Sequence, residues 1–457
     1  MARKNNHLTP LEQRAMYGLA GVYGVRMLGL FMILPVFALY ATGLEHVTPT
    51  LVGLAIGIYG LTQAMFQIPL GMLSDRIGRK PVILGGLAVF AAGSALAGST
   101  DDIYLIILGR ALQGSGAVAA AVLAMVADLT RESVRTRVMA FIGLSIGVSF
   151  SVAMVAGPVV NQWIGVPGIF WLTAALALLA AAMVAFVIPN PARVTTHRDA
   201  ELVAGYLGRV LGNGQLLRFD AGIFTLHLLL TSNFVVVPLL LQQHFGIDTA
   251  AHWKVYLPVM LLGFVAMLPF IIIAEKHRHM KGVFTGAVGV LIVAELMMAR
   301  LANHLPGLII GLLVFFTAFN LLEASLPSLV SKEAPPDAKG TAMGIYSTSQ
   351  FLGIFVGGAL GGWVQQHFGI DGVFVFGALA ALLWLGLAVT MREPRYLSSY
   401  LLHVGDCRAD QAEALARRLA AVPGVAEAVV ACDEGTAYLK VDRRRLDEEA
   451  LLAQAGS

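Results

Sequence analysis

The stretch GMLSDRIGRKPVIL, residues 71–84, concentrates charge between two long apolar runs. Its charged residues are Asp75, Arg76, Arg79 and Lys80, and its glycines are Gly71 and Gly78. The 457-residue chain around it is 57% hydrophobic and only 13% charged. Since about a quarter of the residues in a soluble domain are charged, this composition indicates a protein embedded in lipid. The stretch is then a loop between two membrane spans.

Apolar runs of about 20 residues, the length that crosses a hydrocarbon core, recur along the chain. Because backbone polar groups must be paired within lipid, such runs are helices. We therefore expect an all-α membrane protein, in contact with the lipid bilayer through many spans. The sequence predicts twelve of them, at residues 16–40, 51–73, 82–100, 103–127, 138–160, 168–188, 218–241, 254–274, 283–300, 305–330, 341–364 and 372–391.

The charges of the loops predict how the chain is oriented. Eighteen Lys and Arg residues lie on one side of the spans, and two, Lys254 and Arg300, lie on the other. The positive-inside rule then places both termini in the cytoplasm of a multi-pass protein of the inner (plasma) membrane. The eighteen are Arg3, Lys4, Arg14, Arg76, Arg79, Lys80, Arg131, Arg135, Arg137, Arg193, Arg198, Arg209, Arg218, Lys276, Arg278, Lys281, Lys332 and Lys339.

This asymmetry also explains the net charge of +3, so no nucleic acid is expected as a partner. Both cysteines, Cys407 and Cys432, fall in the cytoplasmic C-terminal tail. Thiols stay reduced in the cytoplasm, and we therefore expect no disulfide.

An internal repeat divides the membrane part into two halves. Shifted by 204 residues, GVPGIFWLTAALALL (165–179) falls on GIDGVFVFGALAALL (369–383) without a gap. Two parallel six-helix repeats are typical of transporters that bind their substrate between the halves. The predicted organisation is a first half at 1–189, a cytoplasmic linker at 190–216 and a second half at 217–393. The identical pairs are Gly165/Gly369, Gly168/Gly372, Phe170/Phe374 and Ala174/Ala378.

The tail, residues 396–457, reads as a small soluble domain. Strands are predicted at 398–404, 425–431 and 435–441, and helices at 409–421 and 446–455. This order is that of a ferredoxin-like domain without its final strand. VPGVAEAVV (422–430) resembles heavy-metal-associated domains, but their Cys-x-x-Cys loop is here HVGDCRAD (403–410), with Cys407 alone. We expect no metal or other cofactor, and a regulatory contact or self-association for the domain.

The opening stretch resembles the loop 2–3 signature of the major facilitator superfamily at Gly71, Leu73, Asp75, Arg76, Gly78, Arg79 and Lys80. Gly71 allows close packing of helix 2, and Gly78 allows a tight turn. The resemblance implies that Asp75 faces the N-terminus of helix 11, near Thr341, and that Arg79 pairs with Asp128. Such contacts would form a charged latch between the halves on the cytoplasmic face. The alternative is a basic loop that only sets topology.

Two further segments resemble signatures of the same superfamily. ILGRALQGSGAV (107–118) is similar to its helix 4 motif and contains Arg110. GVSFSVAMVAGPVV (147–160) is similar to the helix 5 signature of antiporters, although Ala153 and Asn161 stand where glycine is usual. The residues that fit the helix 5 signature are Gly143, Gly147, Gly157 and Pro158.

Resemblance to YajR-type transporters extends over the whole chain, for example in KGTAMGIYSTSQFLG (339–353). That group is assigned to proton-driven efflux and carries a C-terminal ferredoxin-like domain. The resemblance implies a secondary transporter that exchanges a small-molecule substrate for protons, and not an enzyme.

Charged side chains inside the bilayer need a reason, because each costs about 2.5–3.5 kcal/mol. For proton coupling the candidates are Glu323, then His227 and Glu295; Glu295 lies in a peripheral helix and could snorkel. Arg26 and Arg110 are expected to face the central cavity, with structural hydrogen bonding between helices as the alternative. Neutral candidates for substrate contact are Asn233, Asn320 and Gln350.

Three functions remain open from the residues and the resemblance. The first is a proton-coupled exporter, and the second is an uptake symporter with the same fold. The third is a ligand-sensing transceptor that signals through the tail. No GxxxxGK[ST] loop is present, which argues against an ATP-driven pump.

Overall fold

A computed structural model describes residues 8–191, 202–394, 397–405, 407, 409–432 and 434–455. Arg3, Lys4, Arg193, Arg198 and residues 192–201 of the linker between the halves lie outside the described residues. The membrane part is all-α, as predicted. Its helices are α1 (Pro10–Met32), α2 (Leu34–Ala41), α3 (Pro49–Ile77), α4 (Arg79–Gly98), α5 (Ile103–Ser115), α6 (Ala119–Leu129), α7 (Glu132–Phe186), α8 (Leu207–Leu211), α9 (Gly214–Leu239), α10 (Trp253–Lys276), α11 (Met280–Leu301), α12 (Leu305–Glu333) and α13 (Lys339–Val389).

Ten helical stretches among the described residues are long and apolar enough to cross a membrane. Two of them fall on α7 and α13, which have 55 and 51 residues. At 1.5 Å per residue each would be roughly 80 Å long, more than twice the thickness of a hydrocarbon core of about 30 Å. Each is broken by a glycine with positive φ, Gly165 (φ 68°) and Gly369 (φ 74°). Counted as two spans each, they give the twelve spans predicted from the sequence.

The packing of α1 shows that α7 doubles back at Gly165. Along α1, close contacts meet the residues before Gly165 (the first arm of α7) in parallel order. They meet the residues after Gly165 (the second arm, with Ile188 just beyond its end) in antiparallel order. A Cβ added to the glycine of each pair would lie 2.5 to 3.2 Å from its partner. The pairs are Gly24–Ser149 and Met32–Gly157 for the first arm, and Gly18–Ile188 and Gly29–Thr173 for the second.

The two halves meet closely where α3 begins and the first arm of α13 ends. A Cβ at Gly53 would lie 2.1 Å from the carbonyl oxygen of Gly358, so only glycine allows this approach. Thr50 Oγ1 also donates a hydrogen bond of 2.5 Å to Gln366 Oε1. At this end α3 and α13 therefore pack backbone to backbone.

The tail domain contains β1 (Ser398–His403), α14 (Ala409–Ala420), β2 (Val425–Ala431), β3 (Thr436–Val441) and α15 (Glu448–Ala455). The strand order is β1-β3-β2, with β3 antiparallel to both neighbours. Leu402, Leu419 and Leu439 belong to its buried core. These elements confirm the predicted ferredoxin-like domain, and a final strand is absent from the described part of the tail.

The expectation that both cysteines stay unpaired is wrong in this structure, where Cys407 and Cys432 form a disulfide. Cys407 follows β1, and Cys432 lies in the turn between β2 and β3. Because β1 and β2 both flank β3, the two segments meet at one end of the sheet, with 5.0 Å between the two Cα atoms. The sequence separation of 25 residues does not reveal this proximity.

Candidate functional site

The loop between α3 and α4 is anchored by Arg79. Gly78 takes a φ of 97°, which separates the two helices, and Arg79 begins α4. The Arg79 side chain is buried, and its Nε lies 3.0 Å from Asp128 Oδ2 at the end of α6. Its guanidinium also donates to Ser74 Oγ at 2.9 Å and to Asp75. Arg79 thus ties the loop to the first half of the molecule.

Asp75 does not reach the start of α13. Its carboxylate is 36% exposed, and its bond among the described residues is to Arg79. The first turn of α13 instead contacts the linker between the halves, since the Val203 amide donates to Thr341 Oγ1 at 3.0 Å. Arg209, also in the linker, pairs with Asp337 at 2.5 Å. The predicted latch between the halves is therefore not formed in this conformation.

The other residues of the loop signature have separate surroundings. A Cβ at Gly71 would lie 3.0 Å from Ala120 Cβ, so α3 packs closely on α6 here. Lys80 Nζ lies 3.5 Å from the carbonyl oxygen of Ala185, and Arg76 is exposed. The glycine therefore serves helix packing, and the lysine reaches the end of α7.

Glu323, His227 and Gln350 come together from three helices of the second half. Glu323 Oε2 in α12 lies 3.9 Å from His227 Nδ1 in α9. Gln350 in α13 reaches both: its Nε2 is 2.9 Å from His227 Nε2 and 3.4 Å from Glu323 Oε1. The sequence analysis named these three residues as separate candidates, and in the folded structure they form one cluster.

The hydrogen bonds of His227 define its tautomer. Nδ1 lies 3.3 Å from the carbonyl oxygen of Ile223 and must donate to it, because a carbonyl only accepts. Nε2 then accepts from Gln350, which describes a neutral imidazole. Glu323 Oε2 has no hydrogen-bond partner among the described residues. A short movement would bring this carboxyl oxygen into contact with the Nδ1 proton.

The cluster adjoins the interface between the halves. The ring of Phe319, in α12, lies 6.0 Å from the His227 ring. On its other side Phe319 stacks on Phe150 of α7, which belongs to the first half, at 6.4 Å. A rearrangement of the halves would therefore change the surroundings of the cluster.

Arg26 and Arg110 are enclosed by protein rather than open to a cavity. The guanidinium of Arg110 donates to the carbonyl oxygens of Ala55 (3.2 Å) and Ile56 (3.4 Å) and to Gln113 (2.8 Å). Arg26 donates to Gln63 of α3. Both guanidinium groups lie over the ring of Tyr59, at 5.9 Å and 5.3 Å. In this conformation Arg26 and Arg110 therefore make structural hydrogen bonds between helices, which is the alternative to facing a central cavity.

Glu295 is fully buried, so the expectation that it could snorkel is wrong. Its carboxylate accepts a hydrogen bond of 2.8 Å from Asn233 Nδ2 in α9. Gly377 in the second arm of α13 leaves room for it, because a Cβ there would lie 2.8 Å from the Glu295 carboxyl carbon. Asn233 is thus the partner of Glu295 within the second half. Asn320 is half-buried in α12, three residues before Glu323.

The helix 5 signature contributes one close contact. A Cβ at Gly157 would lie 2.5 Å from the carbonyl oxygen of Met32, where α1 gives way to α2. Gly143 and Gly147 have no described residue within 4 Å of such a position, and Pro158 lies inside α7.

Two features of the site escaped the sequence analysis. The first is Asp220, which is buried in α9 two turns before His227. In the sequence, Asp220 is a lone acid in the apolar run that begins at residue 218, and this could have identified it. Tyr59 joins the two buried arginines, and nothing in the sequence marks it.

The tail domain touches the membrane part through Lys440, which sequence analysis also did not identify. Its ammonium donates to the carbonyl oxygen of Ser331, in the last turn of α12. Lys440 is almost fully buried there. Burial, and then the nearby charge of Lys339, lower the pKa of Lys440 to about 8. The helix that carries Glu323 therefore ends against the tail domain.

Comparison with known proteins places both parts of the chain. The profile of the Major Facilitator Superfamily matches residues 19–358 and 222–401, and that of the YajR YAM domain matches residues 407–448. The solved structure of a bacterial homologue of the human lysosomal transporter Spinster, in an inward-facing and unoccupied conformation, superposes with a TM-score of 0.70 at 12% identity. That alignment covers 84% of this chain and 97% of the other, and it shows a shared fold.

Among curated proteins, the inner membrane transport protein YajR of Escherichia coli (strain K12) is 50% identical over 451 residues, which are 98% of this chain and 99% of that protein. The multidrug resistance protein MdtH of Aeromonas salmonicida (strain A449) is 27% identical over 356 residues, 76% of this chain and 86% of that protein. Family profile, relatives and fold agree, and the chain belongs to the Major Facilitator Superfamily of membrane transporters.

Proposed function

We propose that the chain is a proton-coupled secondary transporter of the inner membrane that exports small molecules. The observation that carries this proposal is the Glu323–His227–Gln350 cluster. A carboxyl oxygen with no hydrogen-bond partner in the described part of the chain lies 3.9 Å from a neutral imidazole, beside the interface of the two halves. Proton coupling requires groups that bind a proton and whose surroundings change with conformation. Glu323 and His227 are two such groups.

Alternating access supplies the conformational change. The halves, residues 1–189 and 217–393, rock as units about the linker at 190–216, with both termini and the tail domain at 396–457 in the cytoplasm. In this cycle we assign the Gly53–Gly358 contact to the external end, which is then the closed end in this conformation. Formation of the Asp75 latch at the start of α13 closes the cytoplasmic end in the alternate state.

Export rather than uptake is supported by two observations. Gly157 and Pro158 fit the antiporter signature, and Gly157 packs tightly on α1 at Met32. The relative MdtH is named a multidrug resistance protein. Drugs are therefore the first substrates to test, with protons as the second partner.

The test begins with a thermal-shift screen of the purified protein, since a bound ligand raises apparent stability. The best ligand is then added outside proteoliposomes that contain a pH-sensitive dye. An antiporter that carries the ligand inward moves protons out, and the lumen becomes alkaline. Acidification of the lumen would instead identify a symporter. Ligand uptake without any change in pH would refute proton coupling.

A second function is favoured by the Lys440–Ser331 contact, which connects the tail domain to the helix of Glu323. Through it, ligand binding in the membrane part could be signalled by the tail, as in a transceptor. Deletion of residues 396–457 tests this reading. Transport that persists without the tail would leave the domain a regulatory role and argue against a transceptor.

A further inference from the structure

We propose that Cys407 and Cys432 form a reversible thiol–disulfide site of the tail domain, which exchanges with small cytosolic thiols and disulfides such as glutathione. The inference rests on the cytoplasmic placement of the tail, which is part of the proposed function. It adds a covalent modification site that the transport mechanism does not use.

The sheet holds the two cysteines at bonding distance. The Val404 amide donates to the carbonyl oxygen of Gly435 at 2.9 Å, which joins the segment of Cys407 to the turn after Cys432. Gly405 and Gly435 both take positive φ (71° and 62°), so each segment turns sharply at this point. The Cα–Cα distance of 5.0 Å lies within the range of about 4.4–6.8 Å for disulfides. The backbone of the sheet therefore holds the two cysteines at the distance that a disulfide requires.

The pair lies away from the membrane contact of the domain. Thr436, next to the cysteine end, and Lys440, which docks on Ser331, are separated by four residues of β3, or roughly 13 Å. Both cysteines are only half-buried and pack at the edge of the domain core. Cytosolic reagents can reach them while the domain stays docked.

The compartment determines what such a pair does. Disulfides in the cytoplasm of mesophiles are rare, and those that form are mostly transient, catalytic or redox-sensing. Cys407 also stands two residues before the first residue of α14, a 12-residue helix whose N-terminus favours the thiolate. A pair held at bonding distance beside a helix N-terminus is suited to exchange rather than to permanent cross-linking.

The exchange takes place in two steps. One cysteine thiolate attacks a sulfur of glutathione disulfide, which forms a mixed disulfide and releases one glutathione thiolate. The other cysteine thiolate then attacks the protein sulfur of the mixed disulfide and releases the second glutathione. The cysteines lose two electrons and two protons, and one glutathione disulfide becomes two glutathione thiols. Excess glutathione reverses both steps.

The bond connects the segment after β1 to the β2–β3 turn, closing a loop across 25 residues. Oxidation therefore restricts one end of the domain, and reduction releases it. A change in the redox state of the cell would in this way alter the domain that contacts α12.

The test uses the purified full-length protein in glutathione buffers of increasing oxidised fraction. Each sample is quenched with acid, and its free thiols are labelled with a maleimide that shifts the band on a gel. We expect two labels in reduced glutathione and none in oxidised glutathione, with one transition between them. The matched controls are Cys407→Ser and Cys432→Ser, each of which should gain the mass of one glutathione in the oxidised buffer.

Two labels at every ratio would overturn the proposal, because no bond would form. No label even in excess reduced glutathione would also overturn it, because the bond would be permanent. The premise is tested separately in spheroplasts with a maleimide that cannot cross the membrane. Labelling of the cysteines from outside would refute the cytoplasmic tail and with it the exchange with cytosolic glutathione, whereas proton coupling would remain open.

Discussion

Gly165 and Gly369, which are 204 residues apart, break their helices with the same backbone conformation (φ 68°, ψ 176° and φ 74°, ψ −173°). The internal repeat of the sequence aligns these two glycines with each other. Equivalent positions of the two halves thus perform the same reversal between consecutive spans. This supports descent of the halves from one six-helix unit.

The first prediction concerns this reversal. A conformation with φ near 70° and ψ near 180° is essentially restricted to glycine and costs other residues of the order of 1–3 kcal/mol. Gly165→Ala and Gly369→Ala should each lower the thermal unfolding temperature in detergent. The control is Gly286→Ala in α11, which has open space around the added Cβ and ordinary helical backbone. Equal unfolding temperatures for all three variants would contradict the prediction.

The second prediction separates anchoring from latching in the α3–α4 loop. Asp128 faces the buried guanidinium of Arg79, whereas Asp75 is partly exposed. Removal of one partner from a buried ion pair costs about 3–5 kcal/mol. Asp128→Asn should therefore destabilise the protein strongly, as measured by thermal unfolding. Asp75→Asn should unfold like the wild type but transport more slowly, because it weakens the proposed latch at the start of α13.

Wild-type transport by Asp75→Asn would show that the loop only sets topology. An unfolding temperature of Asp128→Asn close to that of the wild type would show that Arg79 does not depend on this pair.

The sequence predicts those structural features that depend on residues close together in the chain. The spans follow from apolar length, and the tail strands follow from alternation, as in GTAYLKVD (435–442), where β3 lies at Thr436–Val441. Such features need only neighbouring residues. The same reasoning places Gly78 in a turn, because the charged loop must turn between two spans.

Features that depend on distant contacts were missed. Helix α11 is apolar on most of its surface, so its pattern does not show that Glu295 faces Asn233. The cysteine pair depends on strand order, which no spacing reveals. The bond of Asp75 to Arg79, rather than to the start of α13, belongs to one conformation of the chain and is not marked by any sequence pattern. Arg110 was found because a charge in lipid is conspicuous, but its carbonyl partners on α3 carry no side-chain signal.

The third prediction uses the docking contact of the tail. The pKa of Lys440 is lowered to about 8 by burial, while an undocked lysine keeps its ordinary value of about 10.4. At a pH between these two pKa values, Lys440 carries its proton in the undocked domain and has lost it in the docked domain. Docking therefore strengthens as the pH rises from 8 to 10, by up to about tenfold per pH unit, and is insensitive to this group below pH 8.

Hydrogen exchange of the amides near Ser331, compared with Lys440→Met at each pH, measures this effect. Protection relative to the variant should increase from pH 8 to pH 10. A constant ratio between the two proteins across this range would show that Lys440 does not lose a proton on docking.

The last prediction concerns the proton. Glu323→Gln keeps the size of the side chain and its hydrogen bond with Gln350 but cannot ionise. If Glu323 carries the coupled proton, this variant should still bind ligand in the thermal-shift assay and lose transport driven by a pH gradient. Glu295→Gln is the matched control, because the same substitution then falls on a buried carboxyl that is bonded within the second half to Asn233. Gradient-driven proton flux in proteoliposomes should vanish in the first variant and persist in the second. The opposite pattern would move the coupling site to Glu295, and flux that persists in both would leave His227, whose Nδ1 proton lies nearest to Glu323.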